Sequence, residues 1–253
     1  MVEILACLYW WAIATFCGLL VWPLTFRMLG NLHDRGYAVC RAVGLLLVGY
    51  TFWILSSLGY LKLTSTGILV AFGICAIVGW RFGETSDALI WIRENRRYVL
   101  ITEMLFVVTL GFWAYVRSHN PDIFGTEKPM EFAFMNSILR NGTMPPEDPW
   151  LSGYAISYYY FGYVIIALIT SFSGVTSPVG FNLGLALVFG LTAVGIFGLS
   201  YNLISRTFGN QSRCFHKNSA RTMTSPFVGA IVAPVIGLFS GNLNGLLEVL
   251  HQR

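Results

Sequence analysis

The side chains able to do chemistry gather in one stretch of this chain. Residues 121–155 read PDIFGTEKPMEFAFMNSILRNGTMPPEDPWLSGYA and hold five of the twelve acids, Asp122, Glu127, Glu131, Glu147 and Asp148, with Arg117, Lys128 and Arg140 as the nearby bases. Glu127 and Glu131 are four apart, so on a helix they share a face with Phe134, Met135 and Ile138 and head an otherwise apolar stripe. A helix of that pattern lies along a membrane surface with its carboxylates beside the lipid headgroups. The spacing alone favours a plainer reading, in which acids at a helix N-terminus gain roughly a few tenths of a kcal/mol from the macrodipole. Thr126 is placed to cap this helix and Pro129 is tolerated in its first turn; the helix should run to about Arg140 and end at Asn141-Gly142. Asn141-Gly142-Thr143 also matches a glycosylation acceptor, but a helix-ending turn is the favoured reading. Asp148, just before Pro149, reads as an N-cap more than as a catalyst.

Tyr154, Tyr158, Tyr159, Tyr160 and Tyr163, with Phe161, open the apolar segment that follows. An aromatic belt at headgroup level is the plain interpretation. On a helix, though, positions 159 and 163 share one face and 154 and 158 another, so some hydroxyls must turn inward, where they would suit a sugar or phosphate ligand. Glu103, Asn182 and Asn202 are the polar exceptions inside apolar runs. An intramembrane ionisable group is a functional candidate by default, although Glu103 is near enough to Tyr98 to reach the interface and ranks below Glu131. Gly180-x-x-x-Gly184 reads first as close helix packing.

The elements that must hold these residues are membrane helices. Of 253 residues 55% are hydrophobic and only 11% charged, against roughly 25% charge in soluble domains, and the mean hydropathy is +0.64. A water-soluble globule is excluded, and a net charge of only +4, with the charges in blocks between apolar runs, argues against a nucleic-acid partner. The five cysteines are scattered without CxxC spacing, which suggests neither a disulfide framework nor a zinc site. Seven apolar runs, about 3–25, 38–60, 66–82, 98–116, 156–173, 178–204 and 226–247, approach the ~20 residues a spanning helix needs. The expected fold is therefore all-α: a polytopic transmembrane helical bundle of about six to seven membrane helices in the cell membrane, with a short amphipathic helix in an outer loop. Three regions are expected: 1–116 with four membrane helices, 117–155 as an extracytoplasmic loop, and 156–253 with further membrane helices.

Basic residues set the orientation. Arg27, Arg35 and Arg41 follow the first span and Arg81, Arg93, Arg96 and Arg97 the third, which puts both loops in the cytoplasm and 117–155 outside. If 156–173 and 178–204 both cross, however, Arg206, Arg213, Lys217 and Arg221 emerge outside, against the positive-inside tendency. Either the tendency fails there or one segment does not cross.

The stretch GTEKPMEFAFMNSILRNGTMPPEDPWLSGYAISYYYFGYVIIALIT, residues 125–170, resembles the YYY-domain family of integral membrane proteins, named for its three tyrosines. The resemblance extends to PLTFRMLGNLHDRGYAVCRAVGLLLVGY, to Phe181-Asn182-Leu183 and to Gly241-Asn242-Leu243-Asn244-Gly245. Members of that family are usually much longer, which implies that this chain is an amino-terminal portion of such a protein. More distantly, the layout resembles C-type (GT-C) glycosyltransferases, polytopic enzymes that take sugar from a lipid-linked donor. Met130-Glu131 falls where that superfamily has an acidic pair. The resemblance implies Glu131 as catalytic base, with Glu127 one turn earlier as a second carboxylate, and no metal ligand set is assigned. It further implies a polyprenyl-phosphate sugar as membrane-lipid partner, its phosphate met by Lys128 with Arg140 or Arg117 and its pocket lined by Tyr158, Tyr159 and Tyr160. Two other functions fit the residues: a transporter or lipid flippase built around Glu103 and Asn182, and a non-catalytic membrane subunit whose outer loop is a docking surface.

Overall fold

The computed structural model describes residues 2–214 and 226–240. Nine α-helices account for the architecture of those residues: α1 (Val2–Met28), α2 (Cys40–Ser57), α3 (Ser65–Phe82), α4 (Thr85–Glu94), α5 (Arg96–His119), α6 (Lys128–Asn141), α7 (Phe161–Ser173), α8 (Ser177–Cys214) and α9 (Pro226–Phe239). The only β pairing among them is an isolated bridge between Glu147 and Ala155. The protein is thus an all-α, multi-pass membrane protein. Five helices, α1, α2, α3, α5 and α8, are long and apolar enough to cross a bilayer. Within the described residues the other two expected spans are shorter helices, α7 with 13 residues and α9 with 14. The Gly241–Gly245 element lies outside the described residues.

Close approach between the spans rests on small residues, as packing in lipid requires. α1 and α2 run antiparallel with Gly44 against Cys17, where a Cβ would come within 2.2 Å of the Cys17 carbonyl oxygen. α5 and α8 are also antiparallel: Arg117 bonds Asn182 at one end, and at the other Tyr98 stacks on Phe197 and lies against Tyr201. α4 was not expected from the sequence. It is an amphipathic helix folded under the bundle, with Ala88 buried and Trp91 packed among Trp22, Phe26, Tyr37 and Tyr98. The Trp22 indole N–H donates to the Ala88 carbonyl oxygen at 3.4 Å.

α7 removes the charge conflict. Its Ile166 and Thr170 meet Gly184 and Gly180, so it runs antiparallel to α8 and turns into it through Gly174. Its first residue, Phe161, lies against Trp53 and Gly49 of α2, a few residues below the outer end of that helix, while its last, Ser173, accepts from the Trp10 indole. Thirteen residues span only ~20 Å, and both ends lie in the outer half. The fifth apolar segment therefore dips in and returns without crossing. α8 runs inward, and Asn202 ends beside Asp34 in the Arg27–Arg41 loop, which puts Arg206 on the cytoplasmic side with the other arginines.

Candidate functional site

The outer loop is a folded unit. α6 begins at Lys128 with Pro129 in its first turn and ends at Gly142, which adopts a left-handed φ of 66° and returns its N–H to the Ile138 carbonyl. Thr126 does not cap it: Glu127 occupies the N-cap without a side-chain bond, and Thr126 takes a φ of 51° in the preceding turn. Phe134, Met135 and Ile138 are buried, as the stripe requires. The Leu63 N–H donates to the Gly142 carbonyl at 2.7 Å, tying the end of α6 to the α2–α3 connection. Ser137 donates to the Glu147 carbonyl and the Ile156 N–H to the Pro146 carbonyl, so the proline-rich return is pinned to the helix. Asp148 accepts from the N–H groups of Trp150 and Leu151; it caps a turn and not a helix.

Glu131 sits one turn into α6, at the outer end of an apolar groove of about 340 Å³ that runs between α2, α7 and α8. Ala42, Leu46, Gly184 and Leu191 form its walls, and Tyr163 stands beside Glu131 at the rim. Leu46 and Val188, which flank it from α2 and α8, are 52% and 57% exposed, so the groove opens sideways to lipid. A carboxylate at the polar end of a membrane-facing groove is positioned to act on the headgroup of a lipid whose chain lies below.

The other expected residues divide. Glu127 is exposed at the start of α6, on the same side as Glu131 and farther from Tyr163. Lys128 is half-buried three residues before Glu131, and no carboxylate lies within ion-pair distance of it among the described residues. Arg140 lies nine residues beyond Glu131, ~14 Å along the helix and half a turn round; it is exposed on the far side, away from the groove. Arg117 is held in place, its Nε donating to Asn182 Oδ1 at 2.8 Å and its Nη2 to the Asp122 carbonyl. Asn182 in turn donates to the Pro121 carbonyl, and its neighbour Phe181 packs on Phe132 and lines the groove. Arg117 is thereby anchored to the residue that follows Phe181, and it does not itself line the groove.

The tyrosines do not divide by helical face, because 154–160 is not helical and α7 starts at Phe161. Tyr158 packs on Phe134 and Tyr159, on the Glu131 side of the loop. Tyr160 turns inward to accept from the Trp53 indole N–H at 2.9 Å. Tyr159 is 85% exposed.

Two charged clusters at the cytoplasmic half are committed to structure. Glu103 pairs with Arg41, which is 2% exposed, donates to Thr15 Oγ1 and lies 4.6 Å from the Phe106 ring centroid; the other Glu103 oxygen accepts from the Tyr37 hydroxyl at 2.7 Å. Asp34, also 2% exposed, accepts four bonds: Gly36 N–H and Asn202 Nδ2 on one oxygen, Ala38 N–H and the Tyr98 hydroxyl on the other. Asp34 stands in no motif or apolar run that would mark it in the sequence. Asn202, an amide inside an apolar run, was the available sign that a buried polar partner existed.

Residues 47–253 match the model of a family described as an uncharacterized membrane protein family (DUF2298). The chain belongs to that family. No curated protein and no solved structure matches it. The match covers α3 to α9, the outer loop and most of α2, and therefore Glu131, Tyr163 and the groove lining apart from Ala42, Leu45 and Leu46; Asp34 and Arg41 lie before it.

Proposed function

We propose that this member of the family transfers a sugar from a polyprenyl-phosphate donor at the outer face of the membrane. The observation that carries the reading is Glu131 at the outer rim of a groove that opens sideways to lipid. The lipid chain would enter between α2 and α8, and the phosphate would rest near Lys128 and the anchored guanidinium of Arg117. Glu131 takes the proton of an acceptor hydroxyl as that oxygen attacks the anomeric carbon, and the polyprenyl phosphate leaves with the bond pair. Its departure needs no proton, so cations near the phosphate are the remaining requirement. Tyr163 forms the wall on the Glu131 side, while Tyr158 packs on Phe134 outside the lining, with Glu127 as the next carboxylate. Arg140 has no part in this reading, because it lies on the far side of α6. A transporter built on Glu103 is disfavoured, since that carboxylate is already neutralised by Arg41.

The test is Glu131→Gln in native membranes supplied with polyprenyl-phosphate sugar. Release of polyprenyl phosphate is expected to fall by 10²-fold or more, with the yield of folded protein unchanged. Lys128→Ala is expected to lose co-purified lipid phosphate in native mass spectrometry. Full transfer by the Glu131 variant would sink the assignment.

A further inference from the structure

Where α4 meets α5, at the cytoplasmic end of the bundle, Arg93, Arg96 and Arg97 are exposed on either side of the helix break at Asn95. Arg96 and Arg97 precede Leu100 by four and three residues, so they stand directly above the stripe that continues through Leu100 and Met104, both 62% exposed, and Val108. An exposed apolar stripe on a spanning helix is a lipid-facing one, so these two guanidinium groups lie where lipid phosphates lie. α4 repeats the pattern. Leu89 is exposed on the same edge as Arg93, Asp87 and Glu94, seven residues apart, share the other edge, and the exposed Ile90 lies between the two. Among the described residues no carboxylate is within ion-pair distance of Arg93, Arg96 or Arg97.

We propose that the α4–α5 elbow binds the headgroup of an anionic phospholipid of the cytoplasmic leaflet, with Arg93, Arg96 and Arg97 on its phosphate and Leu89, Ile90 and Leu100 against its acyl chains. Charge complementarity selects this occupant: three cations without an ion-pair partner among the described residues, against one exposed carboxylate at the same corner, Glu94, favour a headgroup of net negative charge over a zwitterionic one. Arginine adds paired donors that match phosphate oxygens. This inference is independent of the sugar-transfer reading and concerns the opposite face.

The full chain, delipidated in detergent and offered equimolar phosphatidylglycerol and phosphatidylcholine, is read by native mass spectrometry. Phosphatidylglycerol is expected to be retained about tenfold over phosphatidylcholine. Arg93→Gln/Arg96→Gln/Arg97→Gln should abolish that preference, while Arg96→Lys/Arg97→Lys keeps the larger part of it. Should the triple variant fail to fold, Arg97→Gln alone is expected to reduce the preference about threefold. Equal retention of both lipids by the unsubstituted chain, or a preference that survives loss of these arginines in folded protein, would overturn the proposal.

Discussion

Glu103 and Glu131 are both carboxylates of membrane-associated helices, and their surroundings differ. Glu103 is held by Arg41 and Tyr37, with Arg41 in turn against Thr15 and Phe106, so its charge is spent inside the bundle. Removing one partner of such a pair leaves an uncompensated charge and costs about 3–5 kcal/mol, whereas replacing both with apolar groups is often neutral. Glu103→Leu is therefore expected to lower the unfolding midpoint in detergent markedly, and Arg41→Met added to it should restore most of the loss. A double variant no more stable than the single one would mean that the pair is not coupled. Asp34 is committed in the same way, with all four of its bonds made within the protein. Glu131 has Tyr163 beside it and the groove below, and no cation lies within ion-pair distance of it among the described residues.

At the level of elements, α6 owes its placement to its ends. Gly142 must take a left-handed φ to return its N–H to Ile138 and to present its carbonyl to Leu63. There is space for a methyl group there, so the cost of Gly142→Ala is conformational only, about 1–2 kcal/mol. An unfolding midpoint lower by a few degrees is expected, together with faster amide exchange at the last turn of α6. No change in either would show that the turn is not strained for an L-residue. α7 is set by its neighbours: Gly49, Gly180 and Gly184 give it room between α2 and α8, and the groove is the space that remains beneath its start.

For the whole molecule, the path of α7 decides which side every later residue faces. Because it returns to the outer half, α8 descends and Arg206 joins the arginines of the first and third connections. Ser118→Cys, at the outer end of α5, is expected to react with a membrane-impermeant maleimide added to whole cells, and Arg206→Cys only after the membrane is opened. Labelling of position 206 in intact cells would mean that α7 crosses. The same topology puts the Glu131 groove and the α4–α5 arginines on opposite faces, so that the two proposed lipid sites do not compete with one another.

How much of this was written in the chain differs from part to part. The membrane setting, the five long spans and the extent of α6 were legible, because they follow from local quantities: the length of an apolar run, the period of a stripe, a proline in a first turn and a glycine after a last one. The α6 face with Phe134, Met135 and Ile138 was legible for the same reason. The start of α7 was not, since an unbroken apolar run does not record where its backbone leaves the extended form, and the division of the tyrosines by helical face failed with it. Nor could sequence pair Arg41 with Glu103, 62 residues apart, or Asp34 with Asn202, 168 apart; which charges neutralise each other depends on which helices are neighbours. By itself the sequence determined a helical membrane protein with a carboxylate-bearing outer helix. Only the tertiary structure decided that Glu103 is neutralised by Arg41 and that a groove lies under Glu131, because the first depends on which helices are neighbours and the second on how closely α2, α7 and α8 approach one another in space.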